Sequence, residues 1–372
     1  MKAYLLKRLL LMIPTLVGIT LVTYGIVRLA PGDPIEAMIR SQTGDINPKV
    51  MKENSDRIRQ RLGLIEYHYL RDAVDGAYGP EAGLGAGARV LRGAAVAVDK
   101  FYGIFLGYGR WIGHLARGDF GESIKYRTSS GSRNPLHLIV ERIPVTATLN
   151  VISEIFIFFI AIPVGLAAAQ YKGKWVDWGS SFVLLGLWSI PVILAGTVLL
   201  GFLGKGGMGW SLFPVAGLHA PAYENYAFGR YLADLLWHSA LPVVCLTYGG
   251  LAYLAKLGRA SLLENLRADY VRTARAKGLP ERRVVYHHAL RNSLLPMITT
   301  MVLTLPGLIG GSIVVETIFS LPGMGLLYIG AARAYDLSVL MAETLIYGFL
   351  VLLFLIIGDI LYAWADPRIR YE

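Results

Sequence analysis

The sequence predicts an all-α membrane protein with six spanning helices, and three observations carry that prediction. Of its 372 residues 54% are hydrophobic and only 17% charged, against roughly 25% charged in a soluble domain. The charges are clumped, leaving uninterrupted apolar stretches long enough to cross a bilayer, which takes about 20 residues. Lys and Arg collect in alternate connections between those stretches, the bias that orients membrane proteins.

The stretches follow in order from their flanking charges. Leu9 to Val27 is free of charge after Lys7-Arg8, Ile143 to Gln170 contains only Glu154, and Trp178 to Gly204 contains none. Leu235 to Ala255 and Asn292 to Val315 are clear, and Thr344 to Ala365 contains only Asp359. Pro14, Pro163, Pro191, Pro242 and Pro306 fall inside these spans, where neighbouring helices can satisfy the freed backbone groups. The first span is too long for a signal-peptide core, and Arg28-Leu29-Ala30 is a poor cleavage site, so it reads as an uncleaved anchor.

Orientation comes from the short loops. With the N-terminus inside, the cytoplasmic pieces hold 16 Lys and Arg: Lys2, Lys7, Arg8, Lys172, Lys174, nine from Lys256 to Arg291, Arg368 and Arg370. Loops 205–234 and 316–343 hold three, Lys205, Arg230 and Arg333. Both termini are expected on the cytoplasmic side of the cell (inner or plasma) membrane. The long segment 30–142 crosses largely regardless of its charge, giving an extended extracytoplasmic segment after the first helix. Its middle, Gly76 to Gly93, is rich in Gly and Ala and reads as flexible. Phe101 to Gly109 is apolar but too short to span, so it either rests on the membrane interface or packs on the outer segment.

Several chemistries are excluded. A phosphate-binding loop needs Gly-x4-Gly-Lys-Ser/Thr, and the two Gly-Lys pairs, Gly173-Lys174 and Gly204-Lys205, are followed by Trp175 and Gly206. There is no His-Glu-x-x-His and no nucleophile elbow, and adjacent His287-His288 point to different helix faces. The lone Cys245 lies in an apolar run, where it acts as a small buried hydrophobe. No catalytic residue, cofactor site or metal site is expected on this chain. Its net charge of +10 belongs to loops beside the membrane rather than to a nucleic-acid surface.

The most informative segment is the basic loop 256–291. Leu262, Leu266, Tyr270 and Ala274 recur every four residues, which predicts one amphipathic helix with Arg267, Arg272 and Arg275 away from its apolar stripe. Glu264 with Arg267, and Asp269 with Arg272, are i,i+3 pairs. Lys277 and Gly278 form a helix stop, and Pro280 opens the next helix. A basic helix of this kind rests on anionic lipid or docks into a partner. A DNA-binding helix-turn-helix is excluded by the tethering of both ends to the bilayer.

Asp269-Tyr-Val-Arg-Thr-Ala-Arg-Ala-Lys-Gly-Leu279, followed by His288-Ala-Leu-Arg-Asn-Ser293 and Pro296, resembles the signature loop of binding-protein-dependent ABC importer permeases, in the dipeptide/oligopeptide/nickel branch. Ala30-Pro-Gly-Asp-Pro34, Arg61-Leu-Gly-Leu64, Gly118-Asp-Phe-Gly121, Glu316-Thr-Ile-Phe-Ser320 with Pro322-Gly323, and Asp366-Pro-Arg-Ile-Arg-Tyr371 follow the same order over nearly the whole chain. Where the general importer consensus has Glu-Ala-Ala, this chain has Arg272-Thr273-Ala274, the form of the peptide branch.

The resemblance implies the type I importer permease fold: a helix at 1–30, an extracytoplasmic segment at 31–142, a five-helix domain at 143–366 and a tail at 367–372. Typical members hold the Arg-Leu-Gly-Leu and Gly-Asp-Phe-Gly landmarks closer together, so 70–108 reads as an insertion. It further implies a channel shared with a second homologous permease, two cytoplasmic ATPases carrying ATP and Mg, and an extracytoplasmic solute-binding protein. Coupling to the ATPases would fall on Glu264, Asp269, Tyr270, Arg272, Thr273, Ala274, Arg275, Lys277 and Gly278. The solute would be a short peptide, a nickel chelate or an oligosaccharide. The rival is a stand-alone channel or proton-coupled carrier, which would want more buried carboxylates and histidines than this chain holds. Glu154, Pro191, Pro306, Phe319 and Pro322 are the expected path or outer-gate residues. Asp359 is expected to snorkel or to pair with Arg368 or Arg370.

Overall fold

A computed structural model describes residues 2–29, 69–78 and 85–365. The Ala30–Pro34 and Arg61–Leu64 motifs and the tail Asp366–Tyr371 lie outside them. The described residues are helical, apart from loops and one isolated bridge between Gly204 and Phe213. They form two compact units: one from the described residues of 1–9, 141–327 and 349–372, the other from those of 10–140 and 328–348.

The first two helices after the N-terminal one are short and long: α1 is Lys2–Leu29, α2 Tyr69–Tyr78 and α3 Ala86–Leu115. Then come α4 (Pro135–Gln170), α5 (Trp175–Ser189), α6 (Val192–Leu203), α7 (Phe228–Asn265) and α8 (Asp269–Ala276). The chain continues through α9 (Glu281–Arg283), a π-helical turn at Val284–Ala289, α10 (Leu290–Ser293), α11 (Leu295–Thr304), α12 (Gly307–Gly310) and α13 (Ile313–Ile318). It closes with α14 (Met324–Arg333) and α15 (Leu337–Ala365). Among the described residues five helical stretches are long and apolar enough to cross a membrane, or six if the bent pair α5–α6 is one span.

Two of the expected spans differ in detail. The third is broken: α5 and α6 meet at 92°. Pro191 lacks an N–H and forces the preceding residue out of the helical region, and Ile190 accordingly sits at φ −83°, ψ 119°. The arms have 15 and 12 residues, about 22 and 18 Å at 1.5 Å per residue, so neither alone crosses roughly 30 Å of hydrocarbon. The fifth span is a run of short pieces, α10 to α13, interrupted at Leu294, at Leu305-Pro306 and at Gly311-Ser312.

The Gly- and Ala-rich stretch expected to be flexible is also corrected, since α3 runs unbroken from Ala86 to Leu115. Five alanines between Ala86 and Ala97 supply the helix propensity that offsets Gly87 and Gly93. Side-chain contacts then hold it to α2. Asp99, 5% exposed, accepts the Leu70 and Arg71 amides at 3.1 and 2.9 Å, and Arg92 pairs with Asp75 at 2.6 Å. Phe101 to Gly109 is part of this long helix. In the same unit, buried Asp336 accepts the Ser123 hydroxyl at 2.6 Å and the Ile124 amide at 2.9 Å. That contact ties the loop after Gly118-Asp-Phe-Gly121 to the start of α15.

In the other unit the core is layered. Leu149, Leu241, Val243, Cys245, Val315, Phe319 and Leu321 form one buried cluster. Ile157, Ala161, Leu184, Ala252, Leu254, Ala255 and Met297 form the next, and a third lies under α8. Asp359 pairs with Arg8 at 3.2 Å and accepts the Tyr4 hydroxyl at 2.9 Å; the expected partners, Arg368 and Arg370, lie outside the described residues.

Candidate functional site

The loop 256–291 folds as a short helix docked on three others. α7 runs on to Asn265, Leu266 still has helical angles, and Ala268 turns extended at φ −68°, ψ 149°. This break corrects the expectation of one continuous helix from Leu262 to Gly278. The helical phase restarts at Asp269, so the buried positions of α8 are Val271 (0% exposed) and Ala274 (6%), while Tyr270 faces solvent at 40%. Val271 and Ala274 pack on Ala169, Leu262, Val284 and Ala289, with Leu166, Leu263, Leu266 and Leu279 around them. The ends of α4 and α7 and the π-helical turn therefore share one apolar seat for α8.

The far end of α8 is closed by backbone geometry. Gly278 has φ +76°, its amide returns to the Arg275 carbonyl at 2.9 Å, and the Leu279 amide reaches the Ala274 carbonyl at 3.4 Å. This paired closure requires the left-handed conformation that glycine adopts without steric cost. Arg275 fastens the same corner, with a two-pronged contact to Glu281 at 2.7 and 3.1 Å and a bond to the Leu266 carbonyl at 3.3 Å. The Glu281 carboxylate beside it holds the Arg275 guanidinium above its ordinary range. Tyr270 donates its hydroxyl to the Asn265 side chain at 2.6 Å.

The opposite face is open. Asp269, Tyr270, Arg272, Thr273, Arg275 and Lys277 are exposed on α8, with Glu264 just before it. Asp269 and Arg272 approach to 3.5 Å, with side chains 96% and 71% exposed, so the pair contributes little. Among the described residues Glu264 and Arg267 form no ion pair. Arg267 lies beyond the last residue of α7.

Sequence reasoning missed a clamp beside this surface. Arg259 on α7 holds Asp177 in the first turn of α5 through two bonds of 2.6 and 2.8 Å, and Asp177 also accepts the Gly173 amide at 3.0 Å. An acidic residue in a first helical turn was the available signal.

The expected path residues scatter. Glu154 on α4 accepts the Thr304 hydroxyl at 2.7 Å, and nearby Asn150 donates to the Gly307 and Leu308 carbonyls at 3.2 and 3.0 Å. Pro191 sits at the α5–α6 break and Pro306 at the α11–α12 break. The Pro322 carbonyl accepts from Arg142 at 3.3 Å. Phe319, expected at a channel mouth, is 1% exposed and belongs to the apolar cluster around Leu149 and Leu241. The turn after α13 points it inward.

That turn is built on Glu316, which the sequence marked only as part of a motif. Its carboxylate is 2% exposed and accepts the Thr146 hydroxyl at 2.9 Å and the Leu326 amide at 2.8 Å. Thr146 in turn accepts the Met324 amide at 2.9 Å. Gly311, Gly323 and Gly325 close round this cluster, and a Cβ at Gly323 would lie 2.5 Å from the Glu316 carboxyl carbon. The Pro-Gly-x-Gly sequence thus serves close approach to a buried carboxylate. The helix α14 starts within it, at Met324.

Residues 161–371 match the binding-protein-dependent transport system inner membrane component family. Over its full length the chain is 35% identical to the whole of the oligopeptide transport system permease protein AppB of Bacillus subtilis. It is 34% identical to the whole of the inner membrane ABC transporter permease protein YejB of Escherichia coli O157:H7, again over its full length. The same full coverage of both chains holds for the di/tripeptide transport system permease protein DppB of Pseudomonas aeruginosa, at 33% identity. The docked helix, the broken spans and the Glu316 turn are therefore features of a permease, and the chain belongs to the family of binding-protein-dependent transport system inner membrane components, in its dipeptide/oligopeptide branch.

Proposed function

We propose that this chain forms half of the membrane pathway of an ATP-driven importer for short peptides, and that α8 is where the driving force enters. The observation that supports this most is the two-sidedness of α8. Val271 and Ala274 seat it on the ends of α4 and α7, while Asp269, Tyr270, Arg272, Thr273, Arg275 and Lys277 face outward. A helix so seated passes a push to the spans as a rigid body. The peptide reading rests on the relatives, whose names specify oligopeptides and di/tripeptides.

In this reading the chain pairs with a second homologous permease. Two cytoplasmic ATPases carry ATP and Mg, and a solute-binding protein delivers peptide. Both termini lie in the cytoplasm, which the distribution of Lys and Arg favours. Residues 31–142 are extracytoplasmic, with an insertion near 70–108. Glu154, Pro191, Pro306, Phe319 and Pro322 are proposed as pathway or outer-gate residues, Pro191 and Pro306 because each interrupts a span.

The test is co-expression with the neighbouring transport genes, followed by mild purification. ATPases should co-purify with the native chain and be lost, or hydrolyse ATP without transport, when Arg272 is changed to Glu. A chain that conducts peptide into liposomes with no ATPase present would overturn the reading in favour of a channel or carrier.

A further inference from the structure

One long apolar face is left uncovered by the fold. The N-terminal half of α3 rests on α2 through Arg92 and the buried Asp99, and its C-terminal half rests on α1 through Ile104 and Tyr108. Between these contacts Val90, Leu91, Val98, Phe101, Tyr102 and Phe105 are exposed at 73, 53, 53, 64, 59 and 49%. At 3.6 residues per turn they and the exposed Ala94 and Ala97 fall within an arc of about 140°. Every charged residue of that stretch, Arg92, Asp99 and Lys100 included, lies outside the arc.

The contacts with α1 set the level of this face. The Tyr108 hydroxyl meets the Thr20 hydroxyl at 2.6 Å and the Val17 carbonyl at 3.0 Å, and Tyr24 packs on Ile104 and Tyr108. These contacts run from just past the middle of the candidate span Tyr4–Val27, at Val17 and Thr20, to near its end at Tyr24, so α3 joins α1 within the second half of its crossing. Tyr24 and Tyr108 lie 5.9 Å apart, and Tyr108 stacks on Trp111 at 5.8 Å. Tyr and Trp gather where hydrocarbon meets headgroups. Over the same turns α1 exposes Val22, Ile26 and Leu29.

We propose that α3 lies on the membrane, its Val90–Phe105 stripe set among the acyl chains of the leaflet that the C-terminal end of α1 reaches. A broad apolar arc flanked by cations is what binds a helix in the interface plane, and Lys100 stands at the flank for anionic headgroups. The 70–108 stretch is then a second membrane anchor beside α1, independent of the solute carried.

The experiment uses the full chain with its partner subunits in nanodiscs of phosphatidylcholine and phosphatidylglycerol. Single cysteines at Val98, Phe101 and Phe105, and at Gly93 and Lys100 off the stripe, are placed in a Cys245→Ala background and labelled with bimane. Acyl-chain nitroxide lipids should quench the three stripe sites at least about threefold more than the other two, and aqueous iodide should show the reverse order. Equal quenching at both sets overturns the proposal. So does stripe access to iodide that is lost only when the binding protein is added, since that marks a protein-docking face. Size exclusion selects assembled variants, and three stripe positions keep the test intact if one of them fails to assemble.

Discussion

The bond between Thr146 and Glu316 allows the sharpest energetic test. Glu316→Gln keeps the shape but turns one carboxylate oxygen into an NH2 group. If that group faces Leu326, a donor meets the Leu326 amide that lies 2.8 Å from the native oxygen. If it faces Thr146, the hydroxyl, which already accepts from Met324, must accept again and loses its own outlet. Either way one hydrogen bond to a charged group disappears, a loss of about 1.5–3 kcal/mol. Thr146→Val strands the buried Met324 amide and removes a donor from Glu316, for about 1–3 kcal/mol. Both changes break the same bond, so the double variant should be less destabilised than the sum, with a coupling of about 1–2 kcal/mol. Unfolding in mixed micelles by added SDS measures all four proteins. A Glu316→Gln variant as stable as the native chain, or additivity within about 0.5 kcal/mol, would refute the role assigned to this cluster.

Three further outcomes follow from the geometry. Gly278→Ala forces a side chain into the φ +76° conformation at a cost of about 1–2 kcal/mol, and should lower transport per ATP hydrolysed more than ATPase binding, measured in proteoliposomes. Ser320 holds φ +48° just after α13, so Ser320→Gly should raise the unfolding free energy by up to about 1 kcal/mol, and a lowered unfolding midpoint would contradict that account. Asp177→Asn breaks a clamp whose side chains are 8% and 27% exposed and should cost about 3 kcal/mol. Full stability with Arg259 unchanged would show that the pair contributes nothing.

Charge gaps placed most spans well, because an uncompensated charge in hydrocarbon is costly enough to mark their limits. The same signal said nothing about continuity within a span, and the 92° break at Pro191 is invisible to hydropathy. In the basic loop the stop at Gly278 was legible from residue type. The restart at Ala268 was not, because alanine carries no capping side chain and the four-residue apolar spacing ran on across it. That is why Tyr270 looked inward and Val271 went unnoticed. Glu316 stood in plain view in a motif, yet its partners Thr146 and Leu326 are 170 and 10 residues away, and only the fold brings them together. Within Gly76–Gly93 glycine content suggested slack, whereas interspersed alanines and the Asp99 and Arg92 contacts make the part from Ala86 on helical.

The seating of α8 has a mechanical consequence. Three residues link it to α7 and four link it to α9, and the second link is a closed turn with Arg275 bolted across it. So short a linkage has almost no play. A displacement of a few ångströms at the exposed side of α8 cannot be taken up as bending in its connections, and so reappears at the bases of α4 and α7 with little lost travel. If α8 takes the partner's push as proposed, the stroke delivered to the spans is fixed by the partner's movement, with the loop serving as a stiff crank in place of a spring.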